Sequence, residues 1–436
     1  MRIVRLANFV GPCSGGLRTA LHELGAGYLA AGHEPVLVVP GDHDRDERTG
    51  QGRVITVRGP VAPMMGGGYR LLLCRRKLTA LLESLRPDRL EVSDRTTLRW
   101  TGRWARRHGV PALMVSHESV AALLGQAGRL RWLSGRLGRP TAALVEAVAD
   151  ALNTRTARNY QRVVCTTRWA AAEFERLGTA NLIRIPLGVD LDLFSPAWHS
   201  DAVRRRYAAP GEVLMVHCGR LSAEKKPHRS LDALAALRSA DVPAVLVVAG
   251  DGPQRARLER QAREASLPAR FAGFLAGREE LASLLASADV ALAPGPVETF
   301  GLAALEALAC GTPVVVSGAS ALPEVIGGAG VAVPGEDFAA GVRTVLSRPP
   351  AARRAAARER AERFGWAAAV GGFLDAHRIP PFQQEIEPNG PAAHPPADGA
   401  AADMGAGRSV PTAQGPGPGG LRPEERPASQ KLREFA

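Results

Sequence analysis

Residues 213–225 read Val-Leu-Met-Val-His-Cys-Gly-Arg-Leu-Ser-Ala-Glu-Lys. The run Val213–Cys218 is apolar except for His217. It breaks at Gly219 into a basic loop, and a helical pattern follows from near Ser230. A buried strand that turns at a glycine into a helix is the building unit of a parallel sheet covered by helices on both faces. The unit repeats downstream, with strands expected at Ala244–Ala249, Asp289–Ala293 and Pro313–Val316. Helices are expected between them at Ser230–Arg238, Gln254–Ala265, Glu279–Ala286 and Leu302–Ala309.

The same rhythm runs upstream. Strands are expected at Ile3–Ala7, Pro35–Val39, Arg53–Val57, Arg89–Val92, Ala112–Ser116 and Val163–Cys165, with helices at Gly16–Ala31, Arg70–Ser84 and Thr97–Arg107. The fold class that follows is α/β, with two Rossmann-like doubly wound domains facing each other across a cleft. The expected boundaries are 1–190 for the first domain, a linker at 191–210 containing Pro196 and Pro210, and 211–350 for the second domain. An Ala/Arg-rich helix at 351–379 is expected to pack back toward the first domain. Residues 380–436, which include the run Gly-Pro-Gly-Pro-Gly-Gly, are expected to be a disordered tail, since such a composition buries too little apolar surface to offset ordering entropy.

Composition narrows the function. The chain has 436 residues, 45% of them hydrophobic, which suits two real cores and rules out wholesale disorder. Its net charge is +12. The tail 381–436 holds five Lys/Arg against seven Asp/Glu, so the basic excess belongs entirely to the folded part. That excess favours anionic partners. The five cysteines stand singly, without a C-x-x-C pair, which argues against a disulfide framework and for a reducing compartment. The N-terminus enters a strand directly, and no run approaches 18 apolar residues. A cytoplasmic protein is the expectation, at most peripheral at the inner face of the cell membrane.

Five constellations could carry chemistry. Gly11-Pro-Cys-Ser-Gly15-Gly16 is a Gly-rich turn between the first strand and a helix, where backbone N–H groups can approach an anion. Its spacing is neither the dinucleotide fingerprint nor a Walker loop, and a plain tight turn fits it as well. Arg220 and Lys225 follow the strand Val213–Cys218, where Arg grips phosphate oxygens through two N–H groups and Lys adds a point charge. A solvated basic loop is the bland alternative. Glu298-Thr-Phe-Gly-Leu-Ala-Ala-Leu-Glu306 puts one carboxylate in a loop and the other on a helix. The first N–H groups of that helix, around Phe300, Gly301 and Leu302, lack intrahelical partners and would point into the cleft. His117, followed by Glu118, ends the strand Ala112–Ser116. Finally, Leu123–Arg139 mixes Leu and Trp132 with four arginines. That pattern suits an anionic membrane surface, or equally a half-buried surface helix.

The order of these signals resembles the retaining GT-B glycosyltransferases of family 4. Gly-Gly comes in the first turn and His at a mid-domain strand end. G-R-L-S-x-E-K then opens the second domain, ahead of E-x7-E with C-G-T-P-V-V. Asn181–Asp190, Ala249–Gly252 and Phe271–Phe274 match the pattern in order, and the resemblance covers about residues 1–376. Stretches such as SGGLRTA, LEVSDRTTLR and ETFGLAALE are similar to the actinobacterial branch that moves mannose from GDP-mannose to phosphatidylinositol mannosides.

The resemblance implies a nucleotide-sugar donor, a glycolipid acceptor, a second domain that holds the nucleotide, and no required metal or other cofactor. It assigns Arg220 and Lys225 to the donor diphosphate. Gly15 and Gly16 go to a backbone contact near the distal phosphate, and His117 to the transferred sugar. Glu298, with the Phe300, Gly301 and Leu302 backbone, goes to the sugar hydroxyls, and Glu306 to the ribose. One departure is Lys226-Pro227, where the family usually has Gly after the Lys; either Lys could then serve the diphosphate.

Other readings stay open on the residues alone. The chain could use another nucleotide sugar or a soluble acceptor, or act as an epimerase or phosphorylase on the same architecture. Nucleic-acid binding is disfavoured, because the Lys/Arg are spread over both domains without a recognisable module. An NAD-dependent dehydrogenase fails on the glycine spacing.

Overall fold

The computed structural model describes residues 1–10, 15–62, 69–117 and 142–378. The Gly11–Ser14 part of the first turn, the basic stretch Leu123–Arg139 with Glu118, and the tail 380–436 lie outside the described residues.

Fourteen strands form two sheets among the described residues. The first comprises β1 (Arg2–Leu6), β2 (Glu34–Gly41), β3 (Arg45–Thr49), β4 (Gly52–Arg58), β5 (Arg89–Val92), β6 (Ala112–Ser116), β7 (Arg162–Cys165) and β8 (Leu182–Arg184). Its order is β3-β4-β2-β1-β5-β6-β7-β8, parallel except for the edge strand β3. The second comprises β9 (Val213–Cys218), β10 (Ala244–Ala249), β11 (Ala269–Gly273), β12 (Val290–Ala293), β13 (Val314–Ser317) and β14 (Val331–Val333), in the order β11-β10-β9-β12-β13-β14 and wholly parallel. This is the doubly wound order, and its crevice opens where the winding reverses, between β9 and β12. In the first sheet the corresponding reversal lies between β1 and β5. The expected α/β class with two Rossmann-like sheets is what the chain adopts.

Central parallel strands are buried on both faces and read as continuous apolar runs. Along β9, Leu214 and Val216 face one core while Met215 faces another. The Leu214 core is continuous with residues of the first sheet, such as Ile3 and Val164, through the crossing segment Ile185, Leu187, Val189 and Phe194.

Four strands escaped the sequence reading. β3 is Arg-Asp-Glu-Arg-Thr, largely exposed, and its charge is what an edge strand uses to discourage pairing with other chains. β8 and β14 have three residues each, too short for a period to show, and β11 is largely half-buried.

The expected single C-terminal helix is two, Pro350–Ala361 and Trp366–His377. The chain is extended at Gly365, and Val189 donates to the Phe364 carbonyl at 2.8 Å. Gly188 is required there, because a Cβ on it would lie 2.5 Å from the Trp366 nitrogen. The helix Trp366–His377 packs against the helix Gly15–Ala30 of the first sheet. Residues 191–210 carry structure of their own: a 3-10 turn at Pro196–Trp198 and a helix at Asp201–Tyr207 capped by Ser200.

The descending helix brings His377 into a buried ionic cluster. Arg5 on β1 and Glu91 on β5, both about 1% exposed, pair at 3.1 Å. Tyr28 donates to Glu91 at 2.9 Å, and His377 Nε2 lies 3.3 Å from the same carboxylate. Burial alone would push the Glu91 carboxyl up. Arg5, His377 and Tyr28 outweigh it and hold the group down at about 2.

Candidate active site

Loops at the carboxyl ends of both sheets meet, and nearly every residue singled out from the sequence lies on them. After β9, Gly219 takes φ 150°, and its carbonyl leaves no room for a side chain on Gly250, whose Cβ would sit 1.9 Å away. Leu221 donates to the Asp251 carbonyl at 2.9 Å. The Ala249–Gly252 segment therefore braces the basic loop from behind, and only glycine fits at 250. A 3-10 turn, Ala223–Lys225, then leads through Lys226 in the left-handed region to the helix His228–Ser239.

Lys225 is the lysine of this loop whose Nζ contacts the Glu298 carboxylate, and both side chains are partly exposed. Arg220 reaches the first lobe. It donates to the Tyr69 hydroxyl of the first lobe at 3.0 Å, with its guanidinium 4.8 Å from the centre of the Tyr69 ring. Tyr69 is almost fully buried.

The loop after β12 holds Glu298, Thr299, Phe300 and Gly301, and the helix Leu302–Ala309 begins directly behind them. Ala321 donates to the Glu298 carbonyl at 2.9 Å, while Phe300 is buried edge-on against Phe364. Gly301 takes φ 81°, and a Cβ there would come 2.2 Å from Leu322. No side chain caps this helix, so its first N–H groups are open to an anion or to hydroxyls. Gly16 lies across from it: a Cβ on Gly16 would be 3.7 Å from Leu302, whereas Gly15 faces open space.

His117 follows β6, and its carbonyl accepts from the Thr299 hydroxyl at 2.6 Å. Burial drives its imidazole pKa down to about 4, with Glu91 opposing and Arg5 adding to the shift, so the ring is neutral at pH 7. Glu306 sits one helical turn further in, half-buried and near Cys218, Cys310 and Arg278. Burial pushes its carboxyl up to about 7, and Arg278 only partly compensates. A polar group placed there, such as a vicinal diol, would stabilise the carboxylate.

The structure thus brings Gly16, His117, Arg220, Lys225, Glu298, Phe300, Gly301 and Leu302 around one junction, with Glu306 deeper along the helix. Sequence reading missed Tyr69 and the threonines 166, 167 and 299. Thr299 lies inside the quoted motif, and its signal was its position between two chosen residues. Tyr69 is one of only four tyrosines and follows three glycines, a faint signal of a special turn.

Two family descriptions match the sequence: Glycosyltransferase Family 4 over residues 14–193 and Glycosyl transferases group 1 over residues 200–364. A GDP-mannose-dependent alpha-(1-6)-phosphatidylinositol dimannoside mannosyltransferase of Mycobacterium tuberculosis (strain ATCC 25177 / H37Ra) is 53% identical over 379 residues, spanning 86% of this chain and 95% of that protein. The chain belongs to glycosyltransferase family 4. A glycogen synthase of M. tuberculosis (strain CDC 1551 / Oshkosh) is 32% identical across 78% of this chain and 85% of its own length. Among solved structures, sucrose-phosphate synthase from Thermosynechococcus elongatus superposes with TM-score 0.68 at 22% identity, covering 87% of this chain and 98% of that one. The family 4 chain therefore has the GT-B fold, and it is a hexosyltransferase. No helix among its described residues is long and apolar enough to cross a membrane.

Proposed function

We propose that the enzyme transfers mannose from GDP-mannose to phosphatidylinositol dimannoside through an α-(1→6) linkage, giving the trimannoside with retention at the anomeric carbon. The observation that carries this reading is the 53% identity, along nearly the whole relative, to a protein named for that donor and acceptor class. The basic excess of residues 1–380 supports work at an anionic lipid surface from the cytoplasmic side, as a peripheral protein.

In this reading the first domain (1–190) takes the acceptor and the second (211–350) the nucleotide. Arg220, Lys225 and the Gly15-Gly16 helix start neutralise the diphosphate as the bond from the anomeric carbon to the phosphate oxygen breaks. The acceptor hydroxyl enters on the face the leaving group vacates, and its proton passes to the departing phosphate oxygen. No protein nucleophile is then needed. His117, neutral, and Glu298 hold the sugar hydroxyls, the open N–H groups at Phe300, Gly301 and Leu302 add donors, and Glu306 accepts from the ribose.

The test is an incubation of the purified full chain with GDP-mannose and phosphatidylinositol dimannoside, with products read by mass. One added hexose with equimolar GDP, and an α-anomeric signal by NMR, are expected. Release of a different nucleoside diphosphate only from another donor would overturn the mannosyl assignment. A β product would overturn retention.

A further inference from the structure

Thr299 meets the first lobe with both of its polar groups. Its hydroxyl donates to the His117 carbonyl at 2.6 Å. Its own carbonyl accepts from the hydroxyls of Thr166 at 3.3 Å and Thr167 at 2.9 Å. Thr167 is itself fixed, since its hydroxyl also accepts from the Ala170 N–H and caps the helix Arg168–Glu175. The loop after β12 is thereby tied to the carboxyl ends of β6 and β7.

The consequence lies in the neighbours. Glu298 is covalently next to Thr299, its carbonyl is held by Ala321, and its carboxylate meets Lys225. His117 is the residue whose carbonyl receives the Thr299 hydroxyl. We propose that Thr299 is a positioning residue: it sets the separation of His117 and Glu298, and so decides whether a bound glycosyl group meets the acceptor or water. This rests on the reading of those two residues as the groups that hold the sugar. A single neutral hydrogen bond suits the task, because it is directional and its loss leaves the rest of the fold in place. The Thr166 and Thr167 bonds go to the backbone and survive side-chain changes at 299, so the hydroxyl can be tested alone.

The experiment compares Thr299→Val, which keeps the shape and removes the donor, with Thr299→Ser, which restores it. Three readouts are taken on the full chain: amide hydrogen exchange of the free protein, GDP affinity, and the partition of GDP-mannose between transfer and hydrolysis. For Thr299→Val we expect faster exchange confined to segments around 115–117 and 298–302. GDP affinity should stay within about threefold, and kcat for transfer should fall about 10- to 100-fold with a larger hydrolysed share, as expected for misplacement of about an ångström. Thr299→Ser should recover kcat to within about threefold. Unchanged exchange together with an unchanged partition would overturn the proposal. So would a Thr299→Ser variant as impaired as Thr299→Val. The exchange readout requires no donor: if the wild-type chain transfers nothing from GDP-mannose, the donor assignment falls while the tie is still judged on exchange.

Discussion

Arg220 and Tyr69, 151 residues apart in sequence, are joined across the two lobes by a 3.0 Å hydrogen bond and by stacking of the guanidinium over the ring at 4.8 Å. The cation assigned to the diphosphate is thus held by a buried residue of the opposite lobe, so its direction depends on how the lobes meet.

Removing the cation should have the largest effect at this pair. Arg220→Ala loses charge-assisted bonding worth roughly 1.5–3 kcal/mol, and kcat/KM for the donor should fall by about 10- to 150-fold with the fold retained. Tyr69→Phe keeps the ring and loses the hydroxyl, so a drop of about 3- to 10-fold is expected, and Tyr69→Ala should fall further. Released nucleoside diphosphate measures all three. Near-normal turnover of Arg220→Ala would remove Arg220 from the diphosphate.

Lys225 and Glu298 touch, so their effects should not multiply. We expect Lys225→Ala and Glu298→Gln each to lower kcat by more than about 100-fold, and the double variant to lose much less than the product of the two. A steady-state double-mutant cycle checks this. Strict multiplicativity would mean the two groups serve unconnected steps.

Glu306 gives a pH signature. Its carboxyl is pushed by burial to about 7, above the ordinary 4.5. Between those values the folded chain keeps a proton that the unfolded chain has released, so the contribution of this group to stability falls as pH rises and is gone above about 7. The melting temperature of Glu306→Gln should therefore gain on wild type between pH 5 and pH 8. The same variant should raise the donor KM at pH 8, where the wild-type carboxylate accepts from the ribose. Parallel melting curves with pH would show that the carboxyl titrates normally.

Glu91 is structural. Glu91→Ala leaves Arg5 buried without its carboxylate and should cost about 3–5 kcal/mol, read from denaturant unfolding. Because the Glu91 carboxyl is held at about 2, its contribution is in place above the ordinary 4.5 and is lost as pH falls toward 2. A loss below 1 kcal/mol, on the order of a surface pair, would mean the site relaxes to admit water.

What could be read without coordinates was what the chain encodes locally. The apolar run Ala244–Ala249 and the run Val213–Cys218, apolar except for His217, coincide with strands to the residue, because a doubly buried parallel strand leaves a nearly continuous apolar signature. The glycine turns and the E-x7-E spacing are local as well, and they sufficed to point to the family and to its fold. What only the tertiary structure decided were relations between distant segments: Tyr69 on Arg220, Thr299 on His117, His377 beside Glu91, and the break at Gly365 where Val189 pairs. Each is made by polar groups whose worth depends on burial and on a partner far along the chain. No period or composition in a single segment records a hydrogen bond to another one, and that is why the cross-lobe contacts stayed hidden until the two sheets were seen together.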